Sequence, residues 1–177
     1  MRIPEIPEIV YLAKSNAGDP DLIDDIRAKI DAYHVEIKEF TGGTYTTDKL
    51  LACHVLIVVP YTPIKPYTDN FNIGKGVYSE ILTAQKKNIP VYIAAINGTD
   101  DVHIALISDI KVLEADWGLN WANVKFYRIR PMAKLFEGKP STAKQLFGDK
   151  ELEEKSSNTV EKGRVKPYLA LYKRSTV

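Results

Sequence analysis

Short, almost wholly apolar runs alternate along the chain with stretches in which apolar positions recur every three or four residues. Ile9-Val10-Tyr11-Leu12-Ala13, Val55-Leu56-Ile57-Val58-Val59 and Val91-Tyr92-Ile93-Ala94-Ala95-Ile96 are runs of the first kind. With no polar break they fit strands covered on both faces, as in a parallel sheet, and the second is the most apolar and predicts the central strand. Leu22, Ile23, Ile26, Ile30 and Tyr33, separated by Asp24, Asp25, Arg27 and Lys29, predict an amphipathic helix lying on that sheet. Asp19 is placed to cap it, and Pro20 suits its first turn, where a missing N–H costs nothing. Val35 to Phe40 alternates apolar and charged residues, as a strand nearer a sheet edge does.

Between these elements lie the Thr41-Gly42-Gly43-Thr44 turn, a short helical stretch around Asp48 to Ala52, and Tyr61 to Gly74, which carries Pro63 and Pro66, has no period and reads as a long loop. Gly76 to Asn88 reads as a helix closed by Asn88 and Pro90. The order β-α-β-α-β-α-β predicts an α/β domain with an open, mostly parallel, flavodoxin- or Rossmann-like sheet flanked by helices and joined by right-handed crossovers. In such sheets ligands bind at the carboxyl ends of the strands. Those ends carry Lys14 to Gly18, Tyr61 to Gly74, and Asn97-Gly98-Thr99. Ile104 to Glu114 and Val124 to Ile129 read as further strand or mixed elements without a fixed place. A helix is expected around Thr142 to Phe147, and Pro167 to Tyr172 is apolar enough to dock. Residues 1–132 are thus expected to form the ligand-binding body and residues 133–177 an extension packing on the body or on a neighbouring subunit.

Composition narrows the function classes. The chain has 177 residues, 45% apolar and 27% charged, enough to bury one core. Its net charge of +1 hides an asymmetry: residues 1–129 hold 13 basic against 17 acidic side chains, residues 130–177 hold 11 against 6. The basic extension is interrupted by Glu151, Glu153, Glu154 and Glu161, which argues against nucleic acid as a partner and for contact with an acidic body in a homo-oligomer. No apolar run approaches the roughly 18 residues that span a bilayer, and Met1 to Val10 has no signal-peptide layout, so a cytoplasmic protein without membrane contact is expected. Cys53 is the single cysteine, and His34, His54 and His103 share no ligand spacing, so neither a disulfide framework nor a metal site is expected. His54, before a buried strand, reads as a packing residue.

The segment richest in chemistry is Gly74-Lys75-Gly76-Val77-Tyr78-Ser79-Glu80. A glycine-bearing loop runs into a helix whose free N–H groups, with Lys75, suit a phosphate or carboxylate. It matches neither G-K-[ST] nor G-x-G-x-x-G. At about 100° per residue, Glu80 falls on the border of the face formed by Val77, Ile81, Ala84 and Asn88, one turn in from the loop. There it either complements the helix dipole or, aimed at the crevice, attacks an anomeric carbon or binds sugar hydroxyls. Tyr61 and Phe71 are candidates for stacking a base, and Asn16, Gly18 and Asn97 for meeting a ligand at the strand ends.

Gly76-Val77-Tyr78-Ser79-Glu80, an apolar helix and Lys87-Asn88-Ile89-Pro90-Val91 together resemble the "G-T-x-x-E, alanine-rich helix, G-K-P-V" segment of nucleoside 2-deoxyribosyltransferases. Residues 9–13 resemble that family's first strand, and Ala52 to Val59 its "A-D-x-V-V-A" strand. Gly74, Gly76 and Glu80 are also similar to the "G-G-x-G-T-x-x-E" loop of lysine-decarboxylase-like nucleotide phosphoribohydrolases. The resemblance covers residues 9–96 and implies that Glu80 is a nucleophile forming a glycosyl-enzyme intermediate and that Tyr11 helps to orient it. It departs from the pattern at Val77, at Gly74 and at Pro60-Tyr61, where the family carries threonine and acids. Asp69 is then the nearby candidate for protonating the leaving base.

The expected function is cleavage of N-glycosidic bonds of a nucleoside or nucleotide, or deoxyribosyl transfer, with no cofactor. The alternative is an inactive module that keeps the nucleotide pocket (Gly74 to Gly76) and senses or sequesters its ligand. A third reading is an NAD-cleaving relative.

Overall fold

The computed structural model describes residues 6–15, 18–61, 71–96, 101–110, 114–119, 125–130 and 140–148. Five strands form the main sheet: β1 (Ile9–Ala13), β2 (Glu36–Lys38), β3 (Val55–Val58), β5 (Val91–Ala95) and β6 (His103–Leu106), in the order β2-β1-β3-β5-β6. The first four are parallel and β6 closes the edge antiparallel. The chain is therefore an α/β protein with a mostly parallel, flavodoxin-like sheet, and the expected parallel pairing of the second and third apolar runs is present as Leu56↔Val91, Ile57↔Tyr92 and Val58↔Ile93.

Alternation along the strands sends successive side chains to opposite faces. Val10, Leu12, Val55, Ile57, Tyr92 and Ala94 pack on one side with Leu22, Ile26 and Ile30 of α1 (Pro20–Asp31) and with Ala143, Leu146 and Phe147 of α4 (Ala143–Phe147). Tyr11, Ala13, Leu56, Val58, Ile93 and Ala95 pack on the other with Leu50 of α2 (Asp48–Leu51) and Val77, Ile81 and Ala84 of α3 (Lys75–Lys86). Each central strand is covered twice, which is why it reads as an unbroken apolar run.

The helices begin and end where local chemistry dictates. The Asp19 carboxylate accepts from the N–H groups of Asp21 and Leu22 at 3.0 and 3.3 Å, ahead of Pro20. Thr142 and Gln145 form a reciprocal capping box at α4. α3 stops at Asn88, whose φ of 60° lies in the left-handed region that asparagine tolerates best after glycine, and Ile89 N–H returns to Ala84 O at 2.9 Å.

Two expectations are corrected. Tyr61 to Gly74 is not loop throughout: Phe71–Gly74 form β4, which pairs antiparallel with β8 (Lys125–Arg130), itself paired with β7 (Glu114–Leu119), in a second sheet ordered β4-β8-β7. A four-residue strand whose partner lies some fifty residues onward leaves no periodic trace. α3 also starts one residue early, at Lys75, because β4 delivers the chain straight into it through Gly74. Residues 140–148 of the expected extension pack on the body; residues 149–177, with the apolar segment 167–172, lie outside the described residues.

Candidate functional site

The chain leaves β1 for β2 on one side and then crosses to β3 on the other, so the strand order reverses between β1 and β3, where an open sheet leaves a crevice at the carboxyl ends. Three segments meet there. Gly18 N–H donates to Ser15 O at 3.0 Å, Asp19 N–H donates to Tyr61 O at 3.0 Å, and Tyr61 N–H donates to Asn72 O at 2.9 Å. These bonds stitch the turn after β1 to the segment after β3 and to β4.

Gly74 closes the arrangement. Its φ of −75° is open to any residue, so its constraint is space: a Cβ there would lie 3.1 Å from Ser15 Oγ and 3.3 Å from the Tyr61 hydroxyl. No side chain caps the N–H groups of the first turn of α3, that turn holds no acid, and Lys75 is exposed beside them. Gly74→Val is expected to force Ser15 and Tyr61 apart at an overpacking cost of about 1–3 kcal/mol. A thermal melt against the wild type measures that cost.

Below the crevice lies Glu80, in the second turn of α3 and only 7% exposed. The Tyr11 hydroxyl, from the middle of β1, donates to Glu80 Oε2 in a buried hydrogen bond. The Tyr45 hydroxyl, from the segment between β2 and α2, donates to the same oxygen at 3.2 Å. Oε1 accepts no hydrogen bond among the described residues. Burial raises the Glu80 pKa above its ordinary value, against the pull of the Tyr11 and Tyr45 hydroxyls and the attraction of Lys14. Burial, with the carboxylate beside it, also pushes Tyr11 far up and Tyr45 up to about 12, so both remain hydrogen-bond donors at neutral pH.

The surrounding charges are fixed. Glu39 takes a fork of two bonds from Arg27, Nε at 2.8 Å and Nη2 at 2.6 Å, and Lys14 Nζ lies 3.2 Å from its Oε1. The Arg27 bonds, then Lys14, hold Glu39 below the usual carboxylate range despite partial burial. Lys14 also donates to Phe40 O at 2.8 Å, which leaves it a screened neighbour of Glu80 rather than its partner.

Of the residues singled out in the sequence, Tyr11 and Glu80 meet directly, and Gly18, Tyr61 and Gly74 converge above them, with Lys75 and Gly76 exposed at the start of α3. Asn16, Asp69 and Asn97 lie outside the described residues, as does the side chain of Phe71. Ser15 joins the site from just beyond the carboxyl end of β1, and Tyr45 from the Gly-Thr-rich turn, where no pattern in the sequence marks it. His54 is a packing residue: its Nδ1 accepts from the N–H groups of Glu8 and Ile9 at 3.1 and 3.2 Å. Cys53 is buried, its thiol donates to Lys49 O, and burial pushes it up to about 12, which leaves it unreactive. Among the described residues no group of three or more metal-ligating side chains forms, and no helix is long and apolar enough to cross a membrane.

Comparison of the chain with protein-family models, with curated proteins and with solved structures finds no match.

Proposed function

We propose that the chain cleaves the N-glycosidic bond of a nucleoside or nucleotide, or transfers its deoxyribosyl group, with Glu80 as the nucleophile. One observation carries this reading: a carboxylate is buried against the middle of β1 with one oxygen held by two tyrosine hydroxyls and the other, among the described residues, without a donor. A glutamate serving only the helix dipole gains nothing from being taken out of water, and the desolvation cost is the kind that stability alone does not select.

The arrangement suits the chemistry. Tyr11 and Tyr45 fix the carboxylate plane through Oε2, and Oε1 attacks the anomeric carbon as the bond to the base breaks. The bonding electrons leave with the base, which takes up a proton; Asp69 is the proposed donor. Water, or a second base, then attacks the same carbon, and the carboxylate is restored. The N–H groups at the start of α3, with Lys75, supply the place for a phosphate or a sugar hydroxyl. The reading includes a homo-oligomeric assembly, in which the basic segment beyond residue 133 meets an acidic body.

A nucleotide-binding module without turnover is the second reading. In its favour, no second carboxylate joins the Glu80 cluster among the described residues, since Glu39 is engaged by Arg27 and Lys14. Incubation with a panel of nucleosides, nucleotides and NAD, analysed by chromatography for free base, separates the two: release from at least one member supports the enzyme, and binding without release supports the module.

Tyr11→Phe removes a hydrogen bond to a charged group, worth about 1.5–3 kcal/mol. A drop in kcat/KM of about ten-fold or more is expected. Because Glu80 must be ionised to attack and its pKa already lies above 4.5, the acid limb of the wild-type pH profile should sit above that value and move further up in the variant. An acid limb that stays in place would show that Tyr11 does not act through Glu80.

A further inference from the structure

The two hydroxyl donors to Glu80 are held very differently. Tyr11 is the middle residue of β1, flanked by β2 and β3, and 2% exposed. Tyr45 is 42% exposed although its hydroxyl reaches a buried carboxylate, and every residue from Thr41 to Thr46 is exposed. The Tyr45 hydroxyl thus bonds a buried carboxylate while the rest of the residue reaches solvent.

The segment carrying it is fixed at its ends and free at its tip. Lys14 donates to Phe40 O, Lys49 donates to Glu39 O at 3.1 Å, and Leu51 N–H donates to Thr47 O where α2 begins. Between these anchors Gly42 and Gly43 have φ of 122° and 78°, and a Cβ at either would meet nothing within 4 Å. The positive φ values need glycine, and the open space lets both residues rotate without collision. Among the described residues the hydrogen bond holding the tip belongs to Tyr45, as does its ring contact, edge-on to Phe40 with centroids 5.3 Å apart.

We propose that Tyr45 is a removable cover for Glu80: the tip of the 41–47 segment swings on Gly42 and Gly43, freeing Oε2 and opening the path to the carboxylate, while Tyr11 stays as the fixed donor. Closed, Tyr45 positions Glu80 and screens it from water; open, it admits the ligand. The inference deepens the reading of Glu80 as the reactive carboxylate, but it concerns access rather than chemistry.

Labelling of Glu80 by a water-soluble carbodiimide with glycinamide, read by peptide mass spectrometry on the full chain, tests it without turnover. Tyr45→Ala should label at least ten-fold faster than wild type. Tyr45→Phe, which keeps the ring and its contact with Phe40 but loses the hydrogen bond, should label at a rate between those of wild type and Tyr45→Ala. Gly43→Ala, which strains the closed tip with Tyr45 still present, should label several-fold faster. Equal rates in wild type and Tyr45→Ala would overturn the cover, and so would Tyr45→Phe matching Tyr45→Ala. An unchanged rate in Gly43→Ala would overturn the hinge. Because no substrate is used, failure of the cover leaves the nucleophile reading untouched, and the absence of base release leaves the cover standing.

Discussion

Glu80→Gln should abolish base release, by about a thousand-fold or more, while ligand affinity changes little, because the amide keeps the shape and can still accept from Tyr11 but has no anionic oxygen with which to attack. A second, independent effect is expected on stability. Burial raises the Glu80 pKa in the folded chain, so its contribution is fully present below the unfolded value and is lost as pH rises through the folded one. At neutral pH the wild type therefore carries an ionised buried group at a cost, and Glu80→Gln should melt at a higher temperature. The difference should shrink as the pH falls, because the wild-type carboxyl takes up its proton above the ordinary glutamate value. Paired melting curves at neutral and acid pH check this. A substitution that loses function and gains stability in one change is what a reactive buried carboxylate predicts, whereas replacing a purely structural acid would lower stability.

The largest stability effects should come from β3, and its two faces should behave differently. Ile57 and Leu56 are each fully buried, Ile57 on the side of α1 and α4 and Leu56 on the side of α2 and α3, in register with Tyr11. Either change to Ala should cost about 2–5 kcal/mol, a large part of the about 5–15 kcal/mol that holds a domain together. Ile57→Ala removes packing from the face opposite Glu80, so the fraction that remains folded should keep its turnover. Leu56→Ala leaves a cavity beside Tyr11, and turnover per folded molecule should fall as well, because a nucleophile displaced by a fraction of an ångström loses its alignment. Urea titrations with activity normalised to folded fraction separate the two. Equal activity loss in both would mean that the sheet transmits strain across its layers and that the site is not localised to one face.

The parallel strands of the main sheet were legible because the three central ones are buried on both sides and the helices between them carry explicit stops, whereas the antiparallel edge strand β6 had no fixed place in the sequence. Val55 to Val59, Asp19-Pro20 and Asn88 each state their role locally. The second sheet was not legible, since Phe71-Asn72-Ile73-Gly74 owes its strand character to a distant partner, β8, and not to any pattern of its own. At the site, Glu80 could be placed by helical arithmetic from the edge of a buried face, and Tyr11 only through the resemblance of residues 9–13 to a family's first strand. Tyr45 could not. It sits in a Gly-Thr-rich turn with no period, and only tertiary contact brings its hydroxyl to a carboxylate thirty-five residues away.

The central claim is that Glu80 forms a covalent bond to the sugar. Mass spectrometry of protein quenched in acid during incubation with a 2-deoxynucleoside that releases its base tests this most directly. The account predicts a mass gain of one deoxyribosyl unit confined to the peptide containing Glu80, absent in Glu80→Gln and lost again when a second base is added. Base release at full rate with no such adduct, or an adduct on any other residue, would contradict it.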